Sequence, residues 1–101
     1  MIRIALHPKA GLDLSAVTRY YRREAGRDVA ERFIAEFWRC AEFLQEHPEA
    51  APAFGPEGVR RKVLLGFPFT IHFVLRPEAV FILSLAHQRR APEHILERLG
   101  P

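Results

Sequence analysis

Ile2, Ile4 and Leu6 alternate with Arg3 and Ala5 and stop at His7-Pro8, the two-residue period of a short strand. From Lys9 the period lengthens. Ala10, Leu14, Val17 and Tyr21 recur at helical spacing with Tyr20 beside them, while Arg19, Arg22, Arg23 and Glu24 take the outer side. Gly26 is a natural stop. Asp28 and Glu31 then have the spacing of a capping box, with Asp28 as the expected N-cap of a second helix. Ala30, Phe33, Ile34, Phe37, Ala41 and Leu44 mark its apolar face, with Trp38 at the border, up to His47-Pro48, where proline disfavours helical geometry in the residue before it. At 1.5 Å per residue this second helix is roughly 28–30 Å long, so residues 9–47 are expected to form a helical hairpin.

Residues 48–58 hold three prolines and two glycines and read as a crossover loop. Three apolar runs follow: Val59–Leu65, Phe69–Leu75 and Val80–Ala86. Gly66-Phe67-Pro68 and Arg76-Pro77-Glu78-Ala79 connect them, and such short links imply antiparallel hairpins. Pro92 and Glu93 suit the first turn of a final helix that Gly100 would end. The order is β-α-α-β-β-β with a short C-terminal helix. This is an α+β fold, one domain over residues 1–101, with the helical hairpin packed on one face of a mainly antiparallel sheet.

Strict alternation divides the three runs into two faces. Val59, Val63, Leu65, Phe69, Ile71, Phe73, Leu75, Val80, Ile82 and Ala86 are expected to lie on the helices, with Arg61 and Ser84 as exceptions. Arg61 would there meet an acidic side chain. The opposite face collects Arg60, Lys62, Leu64, Thr70, His72, Val74, Phe81, Leu83, Leu85 and His87. Simple registers set Lys62 opposite His72, with His87 beyond them. A cationic patch thus adjoins an apolar strip of Val74, Phe81, Leu83 and Leu85, which either the C-terminal helix or a partner would cover.

Charge sharpens this picture. The net formal charge is +3 over 101 residues, but residues 28–57 carry two basic and seven acidic groups, whereas residues 58–92 carry six basic groups against Glu78 alone. A local positive source of this kind favours an anionic partner, either nucleic acid or an acidic protein segment. The single cysteine, Cys40, excludes an internal disulfide and a cysteine metal cluster, and its place in the helical pattern suits a small buried side chain. The five histidines share no close spacing, so neither a metal site nor a cofactor is expected. The longest stretch without formal charge, Val63 to Leu75, is too short to span a bilayer, and the first residues lack the pattern of a leader. The expectation is a cytoplasmic protein with no membrane partner.

Several short segments, in order, resemble the RelE/ParE superfamily of bacterial toxins from type II toxin–antitoxin systems, often called plasmid-stabilisation proteins. They are Ala10, Asp13-Leu14, Tyr20-Tyr21, Ala30, Arg32-Phe33 and Pro48, then Arg60, Gly66-Phe67-Pro68-Phe69, Ile71 and Phe73, and finally Val80 to His87 with Arg89-Arg90 and Pro92. The ParE-like branch implies a toxin that binds DNA gyrase without needing a nucleolytic site, is neutralised by a cognate antitoxin, and forms a hetero-oligomer with it. The RelE-like branch implies an endonuclease that cuts messenger RNA on the ribosome. Many members of the superfamily carry arginine where this chain has Thr70, and the C-terminal tyrosine that often serves as the acid in nucleases is absent here, since no tyrosine follows Tyr21. Those departures favour the ParE-like reading over the nuclease. An inactive homologue or a basic interaction module is the third alternative.

On the ParE-like reading, Arg60, Lys62, His87, Arg89 and Arg90 are the candidates for contact with the target or a phosphate. Val74, Phe81, Leu83 and Leu85 are the candidates for the antitoxin. On the nuclease reading, Arg60 and Lys62 would hold phosphate, with Lys62, His72 and His87 the catalytic candidates and His72 or His87 exchanging a proton, histidine being the side chain that titrates near neutrality. Tyr20, Tyr21, Phe33, Phe37 and Trp38 are expected in the core or at a protein contact.

Overall fold

A computed structural model describes residues 2–54, 57–89 and 95–99. Strand β1 (Arg3–Leu6) leads into helices α1 (Pro8–Ala25) and α2 (Arg27–Glu46). A 3-10 turn (Pro48–Ala50) opens the crossover to β2 (Arg60–Val63), β3 (Phe69–Arg76) and β4 (Ala79–His87), and a second 3-10 turn covers Leu96–Arg98. The sheet order is β1-β4-β3-β2, with β1 parallel to β4 and the other pairs antiparallel. The expected α+β architecture is what forms, a helical hairpin on one face of a four-stranded sheet. The C-terminal helix is realised as the 3-10 turn; its expected start at Pro92 lies outside the described residues.

Local chemistry explains the helix ends. Pro8 occupies the first turn of α1, where its missing N–H costs nothing, and His7 Nδ1 accepts from the Lys9 N–H at 3.0 Å. Gly26 has φ 98°, donates its N–H to the Tyr21 carbonyl at 3.0 Å, and serves at once as the end of α1 and the N-cap of α2. Asp28 is therefore not the cap, as its spacing suggested. It sits inside the first turn, where a carboxylate still favours the positive end of the helix dipole. One residue suffices for the joint because only glycine takes this conformation without strain.

The main core lies between the hairpin and the sheet. Phe33, Phe37, Cys40, Ala41 and Leu44 of α2 meet Ile71, Phe73, Val80, Ile82 and Leu85, and Ile2, Ile4 and Leu6 close its edge. Burying one such large apolar side chain stabilises by about 1.5–3 kcal/mol. Glu36 pins α2 to the β2–β3 turn: its carboxylate accepts from Arg39 Nε and Nη2 at 2.6 and 2.7 Å and from the Leu65 N–H at 2.6 Å. The Arg39 guanidinium holds the Glu36 carboxyl well below its ordinary range, at about 2. Cys40 is buried beneath this cluster, and burial pushes its thiol up to about 12, which leaves it unreactive.

A β-bulge in β4 changes the faces of the sheet. Ser84 pairs with His72 and Ile82 pairs with Phe73, so Leu83 is the extra residue. The inserted residue turns Leu85 and His87 onto the helix face, contrary to strict alternation. β2 is reversed as well. Arg61 pairs with His72, and Lys62 pairs with Ile71, one residue away from the expected register. Lys62 consequently lies on the helix side with Nζ 4.9 Å over the Phe43 ring. Arg61 lies on the far side over Phe54 at 5.1 Å, and not against an acidic residue of the helices. Leu64 takes the core place, leaving Val63 and Leu65 exposed. The run Val63-Leu64-Leu65 is apolar at every position, so its pattern could not set the register; the hairpin bond from the Leu64 N–H to the Phe69 carbonyl does.

Candidate functional site

The far face of the sheet carries its own apolar cluster. Val59, Val74, Leu83 and Ile95 are buried together, with Phe54, Phe81 and Leu99 packed around them. Of the expected strip, Val74 and Leu83 thus lie beneath the C-terminal segment, Phe81 is half-buried at its rim, and Leu85 belongs to the opposite face. His72 shares the far face but is only 5% exposed, with Ser84 Oγ 3.2 Å from its Nδ1 and the Phe54 ring 4.9 Å away. Burial, aided by the Arg61 charge, lowers its pKa to about 4, so the ring is neutral at pH 7.

His87 has a different setting. The bulge brings it onto the helix face at the end of β4, where its ring meets Phe69 edge-on at 5.4 Å and Nδ1 accepts from the Arg89 N–H at 3.1 Å. It borders a cleft of about 200 Å³ whose other wall is α1, through Asp13, Val17 and Tyr20. Tyr20 is 50% exposed and stacks edge-on against Tyr21, which continues an aromatic chain through Phe33, Phe67 and Phe69 into the core. Arg89 is exposed beyond His87; among the described residues no carboxylate pairs with it. Arg90 lies outside the described residues. The site candidate is therefore a half-apolar cleft bordered by the His87 ring, with the exposed Arg89 two residues on in sequence.

The other cationic candidates are placed elsewhere. Arg60 is tied to the crossover, Nη1 donating to the Ala51 carbonyl at 2.7 Å and to Glu49 O at 3.4 Å. Lys62 and His72 are on opposite faces of the sheet. Lys62 and His87 share a face but stand two strands and two residues apart, roughly 11–12 Å between backbones by ordinary sheet spacings. The structure does not bring Lys62, His72 and His87 into one constellation.

Sequence reasoning gave no role to the pair that anchors this region. Asp13 Oδ2 accepts from Arg98 Nη1 at 2.8 Å and from the Leu85 N–H at 3.2 Å, and Arg98 Nη1 also donates to the Leu83 carbonyl at 2.8 Å. No short-range pattern links residues 85 positions apart. A lone acid among the apolar positions of α1 was the one available signal.

A family model for the ParE toxin of type II toxin–antitoxin systems, parDE, matches residues 4–92. The chain belongs to this family of toxins. Among solved structures, a chain from the chromosomal ParDE TA system of P. aeruginosa superposes with a TM-score of 0.75 at 24% identity, over 86% of this chain and 96% of that one, a likeness of fold. No curated protein matches the chain. None of the described helices is long and apolar enough to cross a membrane.

Proposed function

We propose that this ParE-type toxin arrests growth by binding DNA gyrase and is neutralised by a cognate antitoxin. The observation that supports a binding toxin over a nuclease is the dispersal of the candidate catalytic groups. A ribonuclease needs its base, acid and phosphate ligand within reach of one 2′-hydroxyl. Here His72 is buried and neutral, Lys62 lies on the other face, and His87 sits apart at the strand end. Binding requires no such convergence. Arg89 and, next in sequence, Arg90 would give the target cationic contacts beyond His87, which borders the cleft of Val17 and Tyr20.

The antitoxin reading uses the far face. Phe81 is the rim through which a partner reaches the cluster of Val74 and Leu83, and displacement of Ile95 and Leu99 would open the remainder. Leu85 would contribute from the cleft side instead.

Controlled expression without a neighbouring antitoxin tests the activity. Growth arrest with filamentation and a DNA-damage response, but intact transcripts, is the expected result. Rapid ribosome-dependent transcript cleavage would overturn the gyrase assignment in favour of the endonuclease. Unimpaired growth would remove the toxic activity from this copy altogether.

A further inference from the structure

Arg3 and Arg76 stand on either side of Ala79 in a single row across three strands. Arg3 of β1 pairs with Ala79 of β4, and Ala79 pairs with Arg76 of β3. Two inter-strand steps set the arginine backbones roughly 9–10 Å apart, and the methyl group between them leaves the space open. Both side chains are exposed and line one hollow of about 520 Å³ on the far face, floored by Ala5, Ala79, Phe81 and Leu99. The next row places Ala5 and Val74 on either side of Phe81. Among the described residues neither Arg3 nor Arg76 has an acidic partner: Glu78 lines a neighbouring hollow together with both arginines without forming an ion pair, and Arg98, also in the wall, is engaged with Asp13.

We infer that this hollow is a clamp for an acidic peptide segment, one carboxylate held between the Arg3 and Arg76 guanidiniums and a neighbouring apolar side chain laid on the floor by Ala5 and Leu99. Two guanidiniums lining one hollow can each donate to an oxygen of the same carboxylate. The floor selects what carries the carboxylate. An acid flanked by apolar side chains covers Ala5 and Leu99, whereas a nucleic-acid backbone would leave them wet. Nor is a stacking platform free for a base, because the Arg76 guanidinium already lies 4.9 Å over the Phe81 ring. Peptide chemistry therefore fits the hollow better than phosphate does. The proposal rests on the reading above only for its natural carrier, which would be the antitoxin; the peptide clamp itself is independent of any effect on growth.

The test is an NMR titration of the full chain with the capped peptide Ac-Glu-Leu-Glu-Leu-Glu-NH2. Amide shifts are expected to centre on Arg3, Ala79 and Phe81. Arg3→Ala and Arg76→Ala should each weaken binding about tenfold, by the scale of a charge-assisted pair. Arg3→Lys or Arg76→Lys should restore only part of it, and Arg23→Ala, on the far end of α1, should leave it within twofold. All of these sites are exposed, so the fold tolerates the changes. Shifts centred on His87 and Arg89, or an equal loss in Arg23→Ala, would overturn the clamp as mere surface charge. Tighter binding of pyrophosphate or of a short oligothymidylate at the same residues would overturn the peptide assignment and make the hollow a phosphate site.

Discussion

Asp13 in α1 and Arg98 in the C-terminal turn meet at 2.8 Å, their side chains 25% and 15% exposed, at the edge of β4 where β1 has ended. The last backbone bond between those strands' ends runs from the His7 N–H to the Ile82 carbonyl. Beyond it, the Leu83 carbonyl and Leu85 N–H have no strand to pair with on that side. Arg98 takes the first and Asp13 the second. The pair thus does two jobs: it satisfies a strand edge that would otherwise be open to another chain, and it fastens the segment that covers Val74 and Leu83.

Arg98→Ala is accordingly expected to loosen the C-terminal turn more than the fold. The substitution removes two charge-assisted bonds in a partly exposed setting, a loss of about 1–2 kcal/mol. Amide exchange at Arg98 and Leu99 should accelerate in step, while the α2 core amides keep their protection. Uniform acceleration throughout the chain would contradict a local fastening. Asp13→Asn, which keeps an acceptor for the Leu85 N–H, should cost less than Asp13→Ala.

Glu36 should govern acid stability. Its folded pKa is depressed from an ordinary value near 4.5 to about 2, chiefly by Arg39 and also by the Leu65 N–H. A depressed carboxyl stabilises the fold fully above its unfolded pKa and loses that contribution as pH falls through the folded value. The window is therefore about pH 4.5 down to 2. The carboxylate is only 10% exposed, and its contribution is of order 2 kcal/mol after allowance for the exposed Arg39. Urea melts of Glu36→Gln should show lower stability at pH 7 and a flatter profile between those two values than the parent chain. Parallel profiles would refute the assignment.

The element order, the helical hairpin and its core face were legible because two strong periods mark them. Phe33, Phe37, Ala41 and Leu44 are buried where the 3.6-residue pattern places them. The sheet faces were less legible. One extra residue, Leu83, reverses the faces of Leu85 and His87, and a one-residue difference in register exchanges Arg61 with Lys62. Alternation carries no record of a bulge, and an apolar run such as Val63-Leu64-Leu65 has no phase to read. The grouping of the candidate residues suffered for this reason: His72 and Lys62 were placed together on a face that they do not share.

His72 should titrate far below neutrality. Its folded pKa of about 4 lies below the ordinary 6.5 because burial penalises the charged ring. Between these values the unfolded chain binds the proton more readily, so stability is fully present above pH 6.5 and falls as pH drops toward 4. The slope from this one group amounts to at most about 3 kcal/mol over the window. Proton NMR of the His72 ring should give a midpoint near 4, and His72→Phe should remove this component of the pH dependence. A midpoint near 6.5 would contradict the burial and return His72 to the list of candidate proton donors.

The cationic end of β4 is where target binding should fail first. Arg89 is exposed, so Arg89→Ala removes charge without a cavity, and its folded stability should stay within about 0.5 kcal/mol of the parent. If Arg89 forms a charge-assisted contact with gyrase, inhibition of supercoiling should weaken about tenfold. His87→Ala tests a second feature, since its ring packs on Phe69 and accepts the Arg89 N–H. It should therefore lower inhibition by a comparable factor, because the loss is one of positioning. Unchanged inhibition in His87→Ala would refute that positioning role. The control is Lys62→Ala, which acts from the other end of the helix face against Phe43 and should leave inhibition within twofold. Strong loss in Lys62→Ala with none in Arg89→Ala would move the binding edge from β4 to β2.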